Sequence, residues 1–251
     1  MVLFSILNKG KVDIVAEHYT KFIDAVEEMF QVIRKTQDEN IKKAGEIIAK
    51  SIMSGGIMHA FGSGHSHAVA IEICSRAGGL LQARAIKEPA GGIYETVEGV
   101  GVIVCNKLDL ESNDCFVLIS NSGRNPLIIE IALWVKKRGI PLIGITSLDA
   151  SKSMTSRHSS GKRLFEIADV VLDNKGVYGD ACMELPGMSE KVLSTSSFTS
   201  MLLADCSVFH SMKIMLDQGF EPPVAVSKNI DGDFERIEKI RSQFKKRLGY
   251  Y

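Results

Sequence analysis

The fold of this chain is decided by one stretch, Ile57-Met58-His59-Ala60-Phe61-Gly62-Ser63-Gly64-His65-Ser66-His67-Ala68-Val69-Ala70-Ile71-Glu72. A short apolar run, a Gly-Ser-Gly turn and a segment with helical spacing predict a strand, a tight turn and a helix that starts at Ser66. Gly62 and Gly64 permit dihedral angles and close approaches that a Cβ would block. Free backbone N–H groups at the positive end of a helix dipole favour an anion such as phosphate.

A second loop of the same kind follows the apolar run from Cys115 to Ser120. It reads Ser120-Asn121-Ser122-Gly123-Arg124-Asn125-Pro126 and leads into a second segment of helical length. Pro126 suits the first turn of a helix, where its missing N–H is not needed. Either loop alone is also compatible with an ordinary strand-to-helix turn. Together, two serine-rich loops at the carboxyl ends of two strands can bracket one ligand in the crevice of an open α/β sheet.

Composition excludes several classes of function. Of 251 residues 45% are hydrophobic, and 30 basic residues balance 30 acidic ones. A balanced charge predicts no nucleic-acid partner. No apolar run reaches the ~18 residues of a membrane span, and Met1–Leu7 is too short for a secretion signal. Five widely spaced cysteines without a Cys-x-x-Cys pair predict a soluble, reduced, cytoplasmic protein.

Strands and helices alternate along the chain, which predicts a doubly wound α/β fold with a parallel sheet covered on both faces. Two amphipathic helices are expected at about 13–35 and 38–54, and a long helix at about 195–216. Residues 89–113 form a long excursion that is expected to serve a site, and 147–162 and 174–192 are expected to be irregular. The charged end, 230–248, predicts either a short helix or a loose tail. The strands are predicted at 57–62, 83–87, 115–120, 141–146 and 168–173.

The motifs Gly62-Ser63-Gly64-x-Ser66, Ser120-x-Ser122-Gly123 and Ser194-Thr195-Ser196 resemble the SIS (sugar isomerase) domain over roughly residues 40–220. The chain also resembles a group of bacterial SIS-domain proteins that are labelled as phosphoheptose isomerases. Three further segments carry that resemblance: Asn121-Ser122-Gly123-Arg124-Asn125-Pro126, Ser156–Leu164 and Pro222-Pro223…Asn229-x-Asp231-Gly232.

The resemblance implies a flavodoxin-like sheet of five parallel strands in the order 2-1-3-4-5 and a homodimer or homotetramer. It divides the chain into an N-terminal helical segment (1–40), a phosphosugar-binding SIS domain (41–220) and a C-terminal tail (221–251). Members include aldose–ketose isomerases, an etherase that acts on a phosphorylated amino sugar, and regulators that only bind. We therefore expect a sugar-phosphate isomerase that uses acid–base catalysis, with a non-catalytic sensor and an etherase as alternatives.

By position, the resemblance implies that phosphate is held by the hydroxyl groups of Ser63, Ser66, Ser120, Ser122 and Thr195, together with backbone amides. Asn125 departs from the threonine of many relatives, so its carboxamide either replaces that hydroxyl or loses the contact. The full set expected to bind substrate is Gly62, Ser63, Gly64, Ser66, Ser120, Asn121, Ser122, Arg124, Asn125 and Thr195.

Isomerisation needs an acid–base group of suitable pKa. Glu72 matches a glutamate of amino-sugar isomerase domains, although it can equally form a surface ion pair with Arg76. Amino-sugar isomerases carry their catalytic base near the position of Gly79, and this chain has no carboxylate there. Arg76 replaces a metal-ligand glutamate of the heptose isomerases, so we expect no metal and no cofactor.

Three other residues complete the expected catalytic set. They are His67, Glu88 and His210, and each has a purely structural alternative. His59, within the first strand, is expected to be a satisfied core residue. Arg157, His158 and Lys162 could meet an anionic substrate or form a solvated loop.

Overall fold

The structure, a computed structural model, describes residues 18–74, 76–88, 90–227, 229–231 and 234–249. Its main sheet has five parallel strands in the order β2-β1-β3-β4-β5, which confirms the predicted order. The strands are β1 (Met58–Gly62), β2 (Ala83–Ala85), β3 (Cys115–Ile119), β4 (Leu142–Thr146) and β5 (Val170–Asp173). The predictions that concern residues 1–17 and Gly232 fall outside the described residues.

Helices cover both faces of this sheet. They are α1 (His18–Thr36), α2 (Asp38–Met53), α3 (Ser66–Glu72), α4 (Val100–Cys105), α5 (Pro126–Lys137), α6 (Leu148–Lys152), α7 (Ser196–Asp217) and α8 (Phe234–Leu248). Helices α2, α3 and α7 pack on one face against Ala60 and Val117, whereas α4 and α5 pack on the other against Phe61 and Phe116. Successive strand residues therefore enter opposite cores, as the two-residue period of a strand requires.

Two neighbouring strands lead into helices on opposite faces of the sheet. β1 pairs in parallel with β3 from Met58 opposite Cys115 to Gly62 opposite Ile119. The chain leaves β1 for α3 on one face and leaves β3 for α5 on the other. A crevice at the carboxyl ends of these two strands is the place where open α/β sheets bind ligands.

Three segments contain more regular structure than the sequence pattern predicts. Helix α4 lies within 89–113, and α6 lies within 147–162. Residues 174–192 include most of an antiparallel hairpin of β6 (Ala181–Met183) and β7 (Val192–Ser194). Elements of three to six residues are too short to show a hydrophobic period, so the pattern could not predict them.

The charged C-terminal stretch forms the helix α8, and Ile237 on this helix packs with Leu81 and Ala225. Docking on the domain therefore decides between the two expected states, a helix and a loose tail. Among the helices of the described ranges, none is both long and apolar enough to cross a membrane.

Candidate functional site

Both serine-rich loops open into one cavity of about 410 Å³, which we call the serine cavity. It lies at the carboxyl ends of β1 and β3. Seven of the ten residues expected to bind substrate line it: Ser63, Ser66, Ser120, Asn121, Ser122, Arg124 and Asn125. The structure thus brings together side chains that are about 60 positions apart in the sequence.

The first loop depends on its two glycines. A Cβ on Gly62 would lie 2.4 Å from the carbonyl oxygen of Ser66, so no side chain fits where the chain turns into α3. Gly64 has a φ of +56°, in the left-handed region that favours glycine. The Oγ of Ser63 is buried and has no hydrogen-bond partner among the described residues. Buried polar atoms are nearly always partnered, so this hydroxyl is a candidate for ligand binding.

The second loop is anchored to its neighbours. The N–H of Gly123 donates to the Oγ of Ser120 over 3.1 Å, and the carbonyl of Asn121 accepts from the N–H of Ser147 over 2.9 Å. A Cβ on Gly123 would lie 2.9 Å from the Oγ1 of Thr146. These contacts fix the loop in front of the first turn of α5, where Pro126 stands as predicted.

Asn125 directly precedes α5 and is 6% exposed. Its Nδ2 donates to the Oε1 of Glu95 over 2.6 Å, and its Oδ1 accepts from the Nη1 of Arg157 over 3.1 Å. Both polar ends of the carboxamide are therefore used within the protein.

Glu95, Arg157, Tyr178 and Asp180 also line the serine cavity. Arg157 belongs to the polar stretch expected to meet an anion, whereas Glu95, Tyr178 and Asp180 were not predicted. The φ of Asp180 is +69°, its Oδ2 accepts from the Oγ of Ser196 over 2.9 Å, and its buried Oδ1 has no partner among the described residues. The β6–β7 hairpin, which no sequence signal indicated, sets this position.

Thr195 is the one residue of the expected phosphate-binding hydroxyl set that is absent from the cavity wall. It lies directly before α7, is 2% exposed, and accepts the N–H of Thr199 through its carbonyl over 3.1 Å. Gly62 and Gly64 shape the first loop without lining the cavity.

His67 and Glu88 meet in a smaller cavity of about 300 Å³, beside Gly64. Glu88 is 6% exposed, and its carboxylate accepts the N–H groups of Ala90 and Gly92. These bonds hold the segment after β2 against the first loop. A Cβ on Gly92 would lie only 3.3 Å from the Cα of Gly64. In this arrangement Glu88 organises the backbone beside the site.

The other two expected catalytic residues lie elsewhere. Glu72 forms an ion pair with Arg76 and lines a separate cavity between α3 and α7. His210 packs on α2, where a Cβ on Gly45 would lie 2.8 Å from its Cδ2. None of the four expected catalytic residues lines the serine cavity.

His59 is fully buried, and its Nε2 lies 3.2 Å from the Oδ2 of Asp114. Burial lowers the pKa of this imidazole below its ordinary 6.5, although the neighbouring carboxylate opposes the shift. In the described part of the chain, no group of three or more His, Cys, Asp or Glu side chains could hold a metal ion.

The SIS domain model matches residues 21–147, about half of the chain and both serine-rich loops. A UPF0309 protein of Listeria monocytogenes is 50% identical over 227 residues, which cover 90% of this chain and 97% of that protein. The chain belongs to the UPF0309 group of SIS-domain proteins.

Solved structures share the SIS fold at low sequence identity. Phosphoheptose isomerase GmhA from Neisseria gonorrhoeae aligns with a TM-score of 0.53 and 20% identity, covering 78% of this chain and 97% of that one. The NanR protein of Vibrio vulnificus, complexed with ManNAc-6P, aligns with a TM-score of 0.54 and 13% identity, covering 92% of this chain and 70% of that one. At these identities the likeness establishes the fold alone.

Proposed function

We propose that this chain binds a phosphorylated sugar in the serine cavity and interconverts its aldose and ketose forms. One observation carries the binding proposal: hydroxyl groups of two strand-end loops converge on one cavity beside the first turn of α5. Backbone amides at a helix start and serine hydroxyls are the donors that a phosphate accepts from. A cavity of about 410 Å³ is of the size that small ligands occupy.

The charged side chains that line the cavity offer a ligand two kinds of partner, cationic and anionic. Arg124 and Arg157 can pair with the phosphate, which favours guanidinium donors. Glu95 and Asp180 can accept hydrogen bonds from sugar hydroxyl groups. A site with both kinds of group suits a ligand that combines an anionic ester with a polyol.

Isomerisation moves a proton from the carbon that bears the hydroxyl group to the adjacent carbonyl carbon, and the proton acceptor must lie at the sugar end. Glu95 and Asp180 are the carboxylates that line the cavity. The family resemblance and the solved phosphoheptose isomerase with the same fold support this reaction class.

A sensor that binds without turnover is the second candidate. Its support is specific: Glu72, His67, Glu88 and His210 all lie outside the serine cavity. A SIS-fold protein that forms a complex with ManNAc-6P, NanR, shows the same overall architecture. Elimination at an amino-sugar phosphate is the third candidate, and it would release a different product.

The protein is incubated with a panel of sugar phosphates and followed by NMR and by thermal unfolding. New aldose or ketose signals support the isomerase, a raised melting temperature without conversion supports the sensor, and a released acid or alcohol supports elimination. We expect Ser63→Ala combined with Ser122→Ala to weaken binding by about 10- to 100-fold, since each serine donates to a charged group. Ser242→Ala, exposed on α8, is the matched control. Unchanged affinity in the double variant would refute the serine cavity as the phosphate site.

We further propose a homodimer or homotetramer. Large apolar side chains stay exposed on α1 and α7, among them Tyr19 at 63% and Phe209 at 75%. Contact between copies would remove such side chains from water. Light scattering coupled to gel filtration measures the mass, and a monomer at micromolar concentration would contradict the proposal.

A further inference from the structure

We propose that Glu95 is the specificity-determining carboxylate that binds the hydroxyl groups of the ligand, and that Asn125 is its positioning residue. This assignment rests on the proposed function, because it takes the ligand to be a phosphorylated sugar in the serine cavity. It adds a residue from the segment after β2, which the two serine-rich loops do not include.

One oxygen of the Glu95 carboxylate is fixed and the other is available. Oε1 accepts from Asn125 over 2.6 Å, while Oε2 accepts no hydrogen bond from the described residues. Glu95 is half-buried and lines the serine cavity. An ionised carboxylate can accept about four hydrogen bonds, so a polyol in this cavity would meet unused acceptor capacity.

Asn125 also keeps two opposite charges apart. Its carboxamide lies between Glu95 and Arg157, donating to the first and accepting from the second. Among the described residues, neither of the two charged side chains forms a direct ion pair. A direct pair would use the donors and acceptors that a ligand needs, whereas a neutral carboxamide orients both groups and leaves most of them free.

The backbone that carries Glu95 is held at several points. The carbonyl of Glu95 accepts the N–H of Leu127 over 3.2 Å, at the start of α5. Three residues further on, the carboxylate of Glu98 accepts hydrogen bonds from the N–H and from the hydroxyl group of Ser159, over 2.6 and 2.9 Å. Glu95 is thus positioned before a ligand arrives, which reduces the ordering cost of binding.

These contacts separate the roles of the cavity residues. Serine hydroxyls and the two arginines serve the phosphate, which inorganic phosphate can imitate. Glu95 serves the sugar, which inorganic phosphate lacks. Removing the carboxylate should therefore lower the affinity for a sugar phosphate and leave the affinity for inorganic phosphate unchanged.

Titration calorimetry with inorganic phosphate and with fructose 6-phosphate tests this separation on the full chain. Glu95→Gln keeps the size of the side chain and can still accept from Asn125, but it turns the second oxygen into a donor. We expect this variant to lower the affinity for fructose 6-phosphate by about 10- to 100-fold. Its affinity for inorganic phosphate should stay within about twofold of that of the original protein. Asn125→Ala should lower the affinity for both probes, because Glu95 and Arg157 lose their common partner.

Glu184→Gln, an exposed carboxylate of the β6–β7 loop, is the control for a lost charge, and melting temperatures without ligand verify folding. Equal affinity of Glu95→Gln and the unchanged protein for fructose 6-phosphate would overturn the assignment. So would an equal loss for both probes, which would make Glu95 a support of the phosphate loops. If the protein without any substitution binds neither probe, the proposed function is overturned together with this role of Glu95.

Discussion

Arg247, in the last turn of α8, donates through Nη2 to both carboxylate oxygens of Asp114, over 2.7 and 2.6 Å. Asp114 directly precedes β3 and is 1% exposed. It also accepts the N–H of Ile57 over 2.8 Å, just before β1. The C-terminal helix is therefore tied to the amino edge of the sheet, opposite the serine cavity.

Arg247→Ala should lower the free energy of unfolding by about 3 kcal/mol, because it leaves a buried carboxylate without its cation. Urea unfolding followed by circular dichroism measures the change. Arg241→Ala is the control on the same helix. Its partner Glu238 is largely exposed, so the expected loss is about 0–1 kcal/mol. Similar losses for the two variants would contradict a role of the Asp114 pair in stability.

His59 should make stability depend on pH. Burial lowers the pKa of the folded imidazole below 6.5, so the unfolded chain binds the proton more readily. The free energy of unfolding should then fall as pH drops below about 6.5, by up to about 1.4 kcal/mol per pH unit, until the folded pKa is reached. Burial raises the pKa of Asp114, but hydrogen bonds outweigh it and keep the pKa below its ordinary 3.8. Protonation of Asp114 therefore affects the free energy of unfolding only at lower pH.

Unfolding of His59→Gln between pH 7 and pH 5 tests this contribution, because the variant lacks the imidazole while Asp114 keeps its partner Arg247. The variant should show a shallower slope of stability against pH, whatever its absolute stability. An identical slope in both proteins would mean that His59 takes up its proton equally well in the folded state.

Glu130 on α5 holds the start of α4. Its carboxylate accepts the N–H groups of Gly99 and Gly101, and it is 8% exposed. Glu130→Ala leaves both N–H groups unpartnered and should cost about 1–3 kcal/mol. Hydrogen exchange should become faster across 95–105, with weaker sugar-phosphate binding because Glu95 lies in that segment. Protection equal to that of the unchanged protein would show that other contacts suffice.

Two glycines with similar backbone angles should respond differently to alanine. Gly123 (φ +60°) has the Oγ1 of Thr146 2.9 Å from where a Cβ would lie, whereas Gly161 (φ +70°) has nothing within 4 Å. Gly161→Ala should cost about 1 kcal/mol from backbone strain alone. Gly123→Ala adds a steric clash in the second loop, so it should lower the melting temperature further and weaken ligand binding. Equal losses would mean that the loop relaxes freely.

The positions of the strands and of both serine-rich loops along the chain could be predicted because their signals are local, whereas the order of the strands in the sheet was implied by the resemblance to SIS domains. Apolar runs, the glycines at 62 and 64 and the proline at 126 each specify the backbone within a few residues. Glu95 and Asp180 carry no such signal. Glu95 stands in a segment that the sequence could describe only as long and expected to serve a site, and a three-residue strand pairing determines the place of Asp180.

By itself, the sequence determined the α/β class and the positions of the turns and of the two serine-rich loops, since strand period, helix starts and glycine conformation depend on near neighbours. Only the tertiary structure decided which charged side chains share that cavity. Glu72 lies six residues from Ser66 yet lines another cavity, whereas Glu95 meets Asn125 from 30 residues away. The direction of a side chain at the end of a short helix, and the contact between distant segments, are set by packing and long-range hydrogen bonds, which neighbouring residues do not encode.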